Sequence, residues 1–190
     1  MGQKESGWQT AVFVLEPGAT LTNVIIGKDQ MEGVHCEHNE CTLVNVWWDD
    51  VCEDALSIKG GSDSSVTKVI GGGARSAEDK IIQHNGLGTV IIDGFYAQDF
   101  GKIYSSCGQC GYTSRKVKVR NVLAVDGRVS IVTVNQNLND EATLENIKIL
   151  GKKVDACQWA EGGGSAEPTK LGDGPAGALC QYALCTVSYA

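Results

Sequence analysis

A short unit that begins in acids and ends in lysines recurs along this chain. It reads Glu32-Gly33-Val34-His35, Glu53-Asp54-Ala55-Leu56, Glu78-Asp79-Lys80-Ile81, Phe100-Gly101-Lys102-Ile103 and Arg128-Val129-Ser130-Ile131. If successive copies stack one strand spacing apart, about 4.8 Å, then Glu32, Glu53 and Glu78 share the first position. Asp54 and Asp79 share the second, and Lys80 and Lys102 the third. Carboxylates held one rung apart repel one another unless a cation neutralises them. An all-oxygen donor set of irregular geometry suits Ca2+ better than Zn2+ or Cu2+. The competing reading is a solvated acidic stripe balanced by the neighbouring lysines.

Such a column needs a fold that stacks equivalent residues. Another unit, an apolar residue followed three later by a second, alternates with the first. It appears as Leu21-Thr22-Asn23-Val24, Leu43-Val44-Asn45-Val46, Val66-Thr67-Lys68-Val69, Ile92-Asp93-Gly94-Phe95, Val119-Arg120-Asn121-Val122 and Leu144-Glu145-Asn146-Ile147. The copies return roughly every 25 residues, the signature of a stacked repeat. Each is β-rich and bounded by Gly, Asp or Asn. No stretch sustains a 3.6-residue apolar period, so little helix is expected. These features predict an all-β fold, a parallel β-solenoid. An antiparallel sandwich is the alternative, disfavoured because two unit types alternate. In the solenoid Asn23 stacks with Asn45, and Asn121 with Asn146, as amide ladders that satisfy polar groups at the bends.

The repeat coils are expected over about residues 11–150 of a single domain spanning 1–190. From about residue 151 the pattern fades. Gly162-Gly163-Gly164 and Gly172-Asp173-Gly174-Pro175 mark an irregular segment, tied down by cysteines. The first strand begins near Ala11, and the N-terminal cap that a solenoid requires is expected to be missing from this sequence. The opening MGQKESGWQT lacks the basic, apolar and small-residue sections of an export signal.

The chain has 190 residues, with 16 basic and 23 acidic side chains and a net charge of −7. That balance argues against non-specific nucleic-acid binding. An anionic substrate would need local lysines or a bridging cation to overcome it. No apolar run approaches the roughly 18 residues of a membrane span. Cys36, Cys41, Cys52, Cys107, Cys110, Cys157, Cys180 and Cys185 form an even set. In a small protein this reads as a disulfide framework made in an oxidising compartment, with the pairing left open.

Three segments carry a resemblance. Glu32-Gly33-Val34-His35-Cys36, the run Asn45-Val46-Trp47-Trp48-Asp49-Asp50-Val51-Cys52-Glu53-Asp54-Ala55-Leu56-Ser57-Ile58-Lys59, and Asp99-Phe100-Gly101-Lys102-Ile103-Tyr104 resemble the small pectate lyases of polysaccharide lyase family 3. The Cys-Gly-x-Cys that follows points to the oomycete and fungal branch. The resemblance implies a right-handed parallel β-helix, secretion, Ca2+ dependence and β-elimination on polygalacturonate by a monomer. It implies that Glu32, Glu53 and Asp54 hold the ion, although the first is commonly Asp in the family. It also implies that Lys80, Lys102 and Lys59 lie at the site, with Lys80 favoured as base and Lys102 as carboxylate binder; the reverse assignment stays open. A lysine beside another cation has a lowered pKa, which suits such a base.

One departure stands out. The family continues Gly-Lys-x-x into an arginine, and Ser105 occupies that place here. A serine supplies neither the charge nor the bidentate fork of an arginine. A catalytically silent, pectate-binding or plant-interaction relative is therefore the alternative function. Three other signals are set aside. Cys107-Gly108-Gln109-Cys110 has no helix pattern after it and reads as a structural disulfide rather than a redox pair. His35-Cys36-Glu37-His38 with Cys41 could be read as a zinc cluster, but the cysteines suit disulfides. Of the adjacent Trp47 and Trp48, at least one must face the core, because neighbours on a strand point opposite ways.

Overall fold

A computed structural model describes residues 6–190. Its fifteen strands are β1 (Ala11–Val14), β2 (Thr20–Ile26), β3 (Glu32–Cys36), β4 (Thr42–Trp48), β5 (Leu56–Ile58), β6 (Val66–Ile70), β7 (Gly73–His84), β8 (Gly88–Asp93), β9 (Tyr96–Ser106), β10 (Arg115–Val125), β11 (Ser130–Asn135), β12 (Glu141–Leu150), β13 (Asp155–Glu161), β14 (Thr169–Asp173) and β15 (Val187–Tyr189). The helical elements among the described residues are three-residue 3-10 turns. Apart from β14, the strands pair in parallel with their equivalents in neighbouring coils, as β2 with β4, β8 with β10, β10 with β12, and β11 with β13. This is the parallel β-helix that the repeats predict.

The core is a set of apolar stacks. Val34, Leu56, Ile82, Tyr104, Val132 and Cys157 follow one another in register and are all buried. Leu43, Val69, Ile92, Val119 and Leu144 form a second stack. Full burial of such a side chain is worth about 1.5–3 kcal/mol, which makes the stacks the main support of the coils.

Between them runs a column of left-handed backbone: Asn23 (φ 55°), Asn45 (52°), Gly71 (66°), Gly94 (73°), Asn121 (55°) and Asn146 (53°). Only Gly, or an Asn or Asp with a local hydrogen bond, takes this conformation readily. The amide ladders form as expected, Asn45 Nδ2 donating to Asn23 Oδ1 at 2.9 Å and Asn146 Nδ2 to Asn121 Oδ1 at 2.7 Å.

Two registers differ from the sequence reading. Leu43 pairs with Val69, not Val66, so the third apolar unit starts at Val69 and Gly71 takes the place of asparagine. A pattern keyed on Asn passes over a glycine that serves the same backbone need. In the acidic unit, His35 pairs with Ser57 and Leu56 with Ile82, which sets Glu32 beside Asp54 and Asp54 beside Lys80, with Lys80 paired to Lys102. Glu78 leaves the column. It lies exposed in a bulge of β7, where two residues, Glu78 and Asp79, face the single Gly101. A side chain on Gly101 would meet the Asp79 carbonyl at 2.0 Å, so only glycine lets the bulge close this tightly.

Parallel pairing continues past residue 151 into β13, after which β14 turns back antiparallel. The remaining segment is held by Cys157–Cys180, and two further disulfides join Cys36 to Cys41 and Cys107 to Cys110. Six of the eight cysteines are thus paired, and Cys185 is exposed. Cys107 and Cys110 are joined, and the next element after them is a strand, β10, not a helix. Cys36 and Cys41, being joined, are not zinc ligands. Trp48 is the core tryptophan, while Trp47 lies partly exposed against Tyr96, ring centroids 6.2 Å apart.

Candidate active site

Three adjacent outward-facing columns form the floor of an open cleft of about 410 Å3. The first carries Glu32, Asp54, Lys80 and Lys102, followed by Ser130 and Asp155. The second carries His35, Ser57, Gln83, Ser105, Thr133 and Gln158. Glu37, Lys59, Asn85 and Asn135 border the far side. The first two columns stand three residues apart, with buried pairs such as Ile81 and Ile82 between them, while the step of two from the second column to Lys59 and Asn85 follows strand alternation. Every sequence-derived candidate, Glu32, Glu53, Asp54, Lys59, Lys80, Lys102 and Ser105, lines this one cleft.

Lys80 is the hub. Its Nζ lies 3.1 Å from Asp79 Oδ2 and 3.4 Å from both Glu53 Oε1 and Asp54 Oδ1. Lys102 Nζ meets the other Asp79 oxygen at 3.0 Å. Burial pushes the Asp54 carboxyl well above its usual range; Lys80 opposes that shift, and Glu53 and Glu32 add to it. Asp79 is half-exposed. Burial would raise it, but Lys80 and Lys102 hold it below its ordinary value. For Lys80 burial acts to lower the pKa, yet Asp54, Glu53 and Asp79 outweigh burial and raise it. The lowered pKa expected of Lys80 beside Lys102 is therefore not present in this arrangement, because three carboxylates lie within 3.4 Å of its ammonium.

Several contributors escaped the sequence reading. His35, 2% exposed, bridges Glu32 Oε2 at 3.0 Å and Glu37 Oε1 at 2.7 Å, and Glu37 in turn holds Lys59 at 3.3 Å. A buried ring contacting two carboxylates fixes the orientation of both. Arg128 donates from Nη2 to the carbonyls of Ala77 (2.6 Å) and Glu78 (3.0 Å), and pairs with Asp99. It thereby pins the bulge that precedes Lys80. The only signal in the sequence was the adjacency of His35 to Glu32 and of Arg128 to the last copy of the unit, which names no partner.

The donor set suits a hard cation. Glu32, Glu53 and Asp54 supply carboxylate oxygens only, and Asp54 Oδ1 is buried without a hydrogen bond. Among the described residues no three acidic, histidine or cysteine groups already converge on one point. Glu32 is turned to His35, and Lys80 contacts the other two.

The comparisons with known proteins decide the family. The pectate lyase family model matches residues 1–166. This chain is a pectate lyase family member. It is 50% identical over 184 residues to probable pectate lyase E of Neosartorya fischeri, covering 95% of this chain and 70% of that protein. Pectate lyase E of Emericella nidulans matches with the same identity and coverage. Among solved structures, pectate lyase PelI of Erwinia chrysanthemi in complex with tetragalacturonic acid superposes with a TM-score of 0.73 at 27% identity, over 92% of this chain and 71% of that one. The lyases of this family act on polysaccharides, and the cleft floor described above is this family member's candidate active site.

Proposed function

We propose that this pectate lyase is a secreted, calcium-dependent enzyme that cleaves polygalacturonate of the plant cell wall by β-elimination, leaving 4,5-unsaturated ends. The observation that carries this reading is the continuous column Glu32, Asp54, Lys80 and Lys102 along one cleft floor. Three disulfides agree with an exported protein. Glu32, Glu53 and Asp54 are the residues that would hold Ca2+. The ion would neutralise these acids and draw off the charge that develops when a carbon next to a carboxylate loses its proton.

The residues of the chain divide the remaining work. Lys80 takes the C5 proton; the C5–H electrons form the C4–C5 double bond, the C4–O bond breaks, and the departing sugar oxygen takes a proton from solvent water. Glu53 and Asp54 are both calcium acids and two of the three groups that keep Lys80 protonated. Once they face another cation, Asp79 is the remaining carboxylate at 3.1 Å, and Lys80 is freer to act as a base. Lys102 and Lys59 bind substrate carboxylates, while Ser105 offers a hydroxyl and no charge.

The competing reading, a silent pectate-binding relative, draws on the same three contacts that hold Lys80 as an ammonium. Absorbance of unsaturated product separates the two. Turnover of polygalacturonate at alkaline pH should require Ca2+, stop with a chelator, and fall by about 100- to 10,000-fold in Lys80→Ala. Calcium-dependent binding without product would favour the silent relative.

A further inference from the structure

Tyr112, at 81%, is the most exposed large apolar side chain among the described residues, yet the loop that carries it is held on both sides of the ring. Cys107 and Cys110 are joined ahead of it. The buried Arg115 guanidinium donates to the carbonyls of Cys107 and Thr113 at 3.0 Å each and of Cys110 at 3.4 Å, and so grips the loop before and after Tyr112. Its remaining bonds, at 2.9 Å to the Asn85 and Gly86 carbonyls, tie that grip to the neighbouring coil. A second segment, residues 162–168, closes onto the loop. The Gly163 N–H donates to the Gly108 carbonyl, and Gln109 Nε2 to the Ser165 carbonyl at 3.3 Å. Gly162 and the Asn137 amide exchange two bonds of 2.6 and 2.9 Å. The Tyr112 ring rests on Gly163, where an added side chain would meet a ring carbon at 2.6 Å. Glycine backbone thus supports one side of the ring and leaves the rest open. Both segments belong to the wall of the cleft: Gly108, Gln109, Cys110, Glu167 and Pro168 line it, and Tyr112 stands just outside them.

An aromatic ring already fixed in place loses little freedom when a ligand covers it. A pyranose presents faces of C–H groups as well as hydroxyls, and such a face packs against an aromatic ring without any need of charge. We infer that Tyr112 is a sugar-stacking residue, which binds one pyranose of the polygalacturonate chain where that chain passes over the wall formed by residues 107–112 and 162–168. This rests on the lyase reading above and adds to it a subsite away from the reacting sugars. The four lysines of the cleft are each paired to a carboxylate. A contact made through apolar area adds affinity for the polymer without competing with those pairs.

The test measures kcat and KM separately, with Ca2+ present, on long polygalacturonate and on trigalacturonate. Tyr112→Ala should raise KM for the long polymer by about three- to tenfold and leave kcat unchanged, since the stacked sugar is held alike before and during the reaction. Tyr112→Phe keeps the ring and should stay within about twofold of the parent. On trigalacturonate, which the first column engages without the outlying ring, Tyr112→Ala should match the parent. An unchanged KM of Tyr112→Ala on the long polymer overturns the inference. So does an equal loss on trigalacturonate, a loss in kcat instead of KM, or a loss in Tyr112→Phe as large as in Tyr112→Ala. Absence of product from the parent chain removes the lyase reading instead. In that case affinity electrophoresis in polygalacturonate reads the same contact as binding: Tyr112→Ala should be retarded less than the parent and Tyr112→Phe as much, and equal retardation of Tyr112→Ala and parent overturns the inference.

Discussion

His84 shows how a single buried side chain can govern acid tolerance. Its Nδ1 meets the Tyr104 hydroxyl at 2.8 Å and its Nε2 the Leu87 carbonyl at 3.2 Å, both beneath the cleft floor. Burial, reinforced by the Arg115 charge and opposed by the Leu87 carbonyl, lowers its pKa to about 4 from 6.5. The unfolded chain therefore takes up a proton that the folded one refuses between these values. Stability contributed here is complete above about 6.5, declines as the pH falls, and levels off below about 4. The full change is about 3 kcal/mol. Urea unfolding across this range should show that decline, and His84→Phe should flatten it relative to the parent even if its absolute stability is lower. An unchanged slope in the variant would place the titration elsewhere.

At the scale of the elements, the left-handed column is the feature to probe. Asn45 holds φ at 52°, donates to Asn23 and accepts from Trp47 Nε1 at 2.8 Å. Asn45→Ala should cost about 2–3 kcal/mol, the sum of a left-handed alanine and lost hydrogen bonding. Asn45→Gly keeps the backbone at ease and should cost about 1 kcal/mol. Equal losses in thermal unfolding would mean that the amide, not the backbone, matters. This column also explains what could be read in advance. Strand type, stacking and the asparagine ladders follow from local residue preferences, and those are written in each coil. Register between coils is not local. Glu53 and Asp54 are adjacent acids, and only pairing with the neighbouring strand decides that Asp54 faces Lys80. The bulge at Glu78–Asp79 is likewise a relation between β7 and Gly101 of another coil. The cleft residues were therefore legible as residue types, their rungs only in part, and the contacts of His35 and Arg128 not at all.

Across the whole molecule, coils interact with their neighbours in the stack, and the described chain is closed on itself by disulfides at separations of 5, 3 and 23 residues. The two short bridges stiffen single bends. Cys157–Cys180 alone spans enough chain to anchor the final segment, a constraint of about 3 kcal/mol by loop entropy. Eight cysteines indicated a framework of this kind, but pairing depends on which coils touch.

The left-handed column and the first cleft column together divide each coil into two arcs of different freedom. From left-handed residue to cleft residue the path is nine positions in five coils, Asn23 to Glu32, Asn45 to Asp54, Gly71 to Lys80, Asn121 to Ser130 and Asn146 to Asp155. In the sixth, Gly94 to Lys102, it is eight. The return arcs vary from 13 positions, Glu32 to Asn45, to 19, Lys102 to Asn121. Length variation has thus been confined to one side of the molecule, as in a machine whose tolerances are loose everywhere except at the cutting edge. Two residues inserted between Ser62 and Asp63, in a long return arc, should leave kcat/KM within about twofold and thermal stability nearly intact, since long surface loops grow at little entropic cost. The same insertion after Ser76 should abolish turnover, because it displaces Lys80 along its strand. If both insertions are tolerated alike, the nine-position arc is a coincidence of ancestry rather than a mechanical requirement.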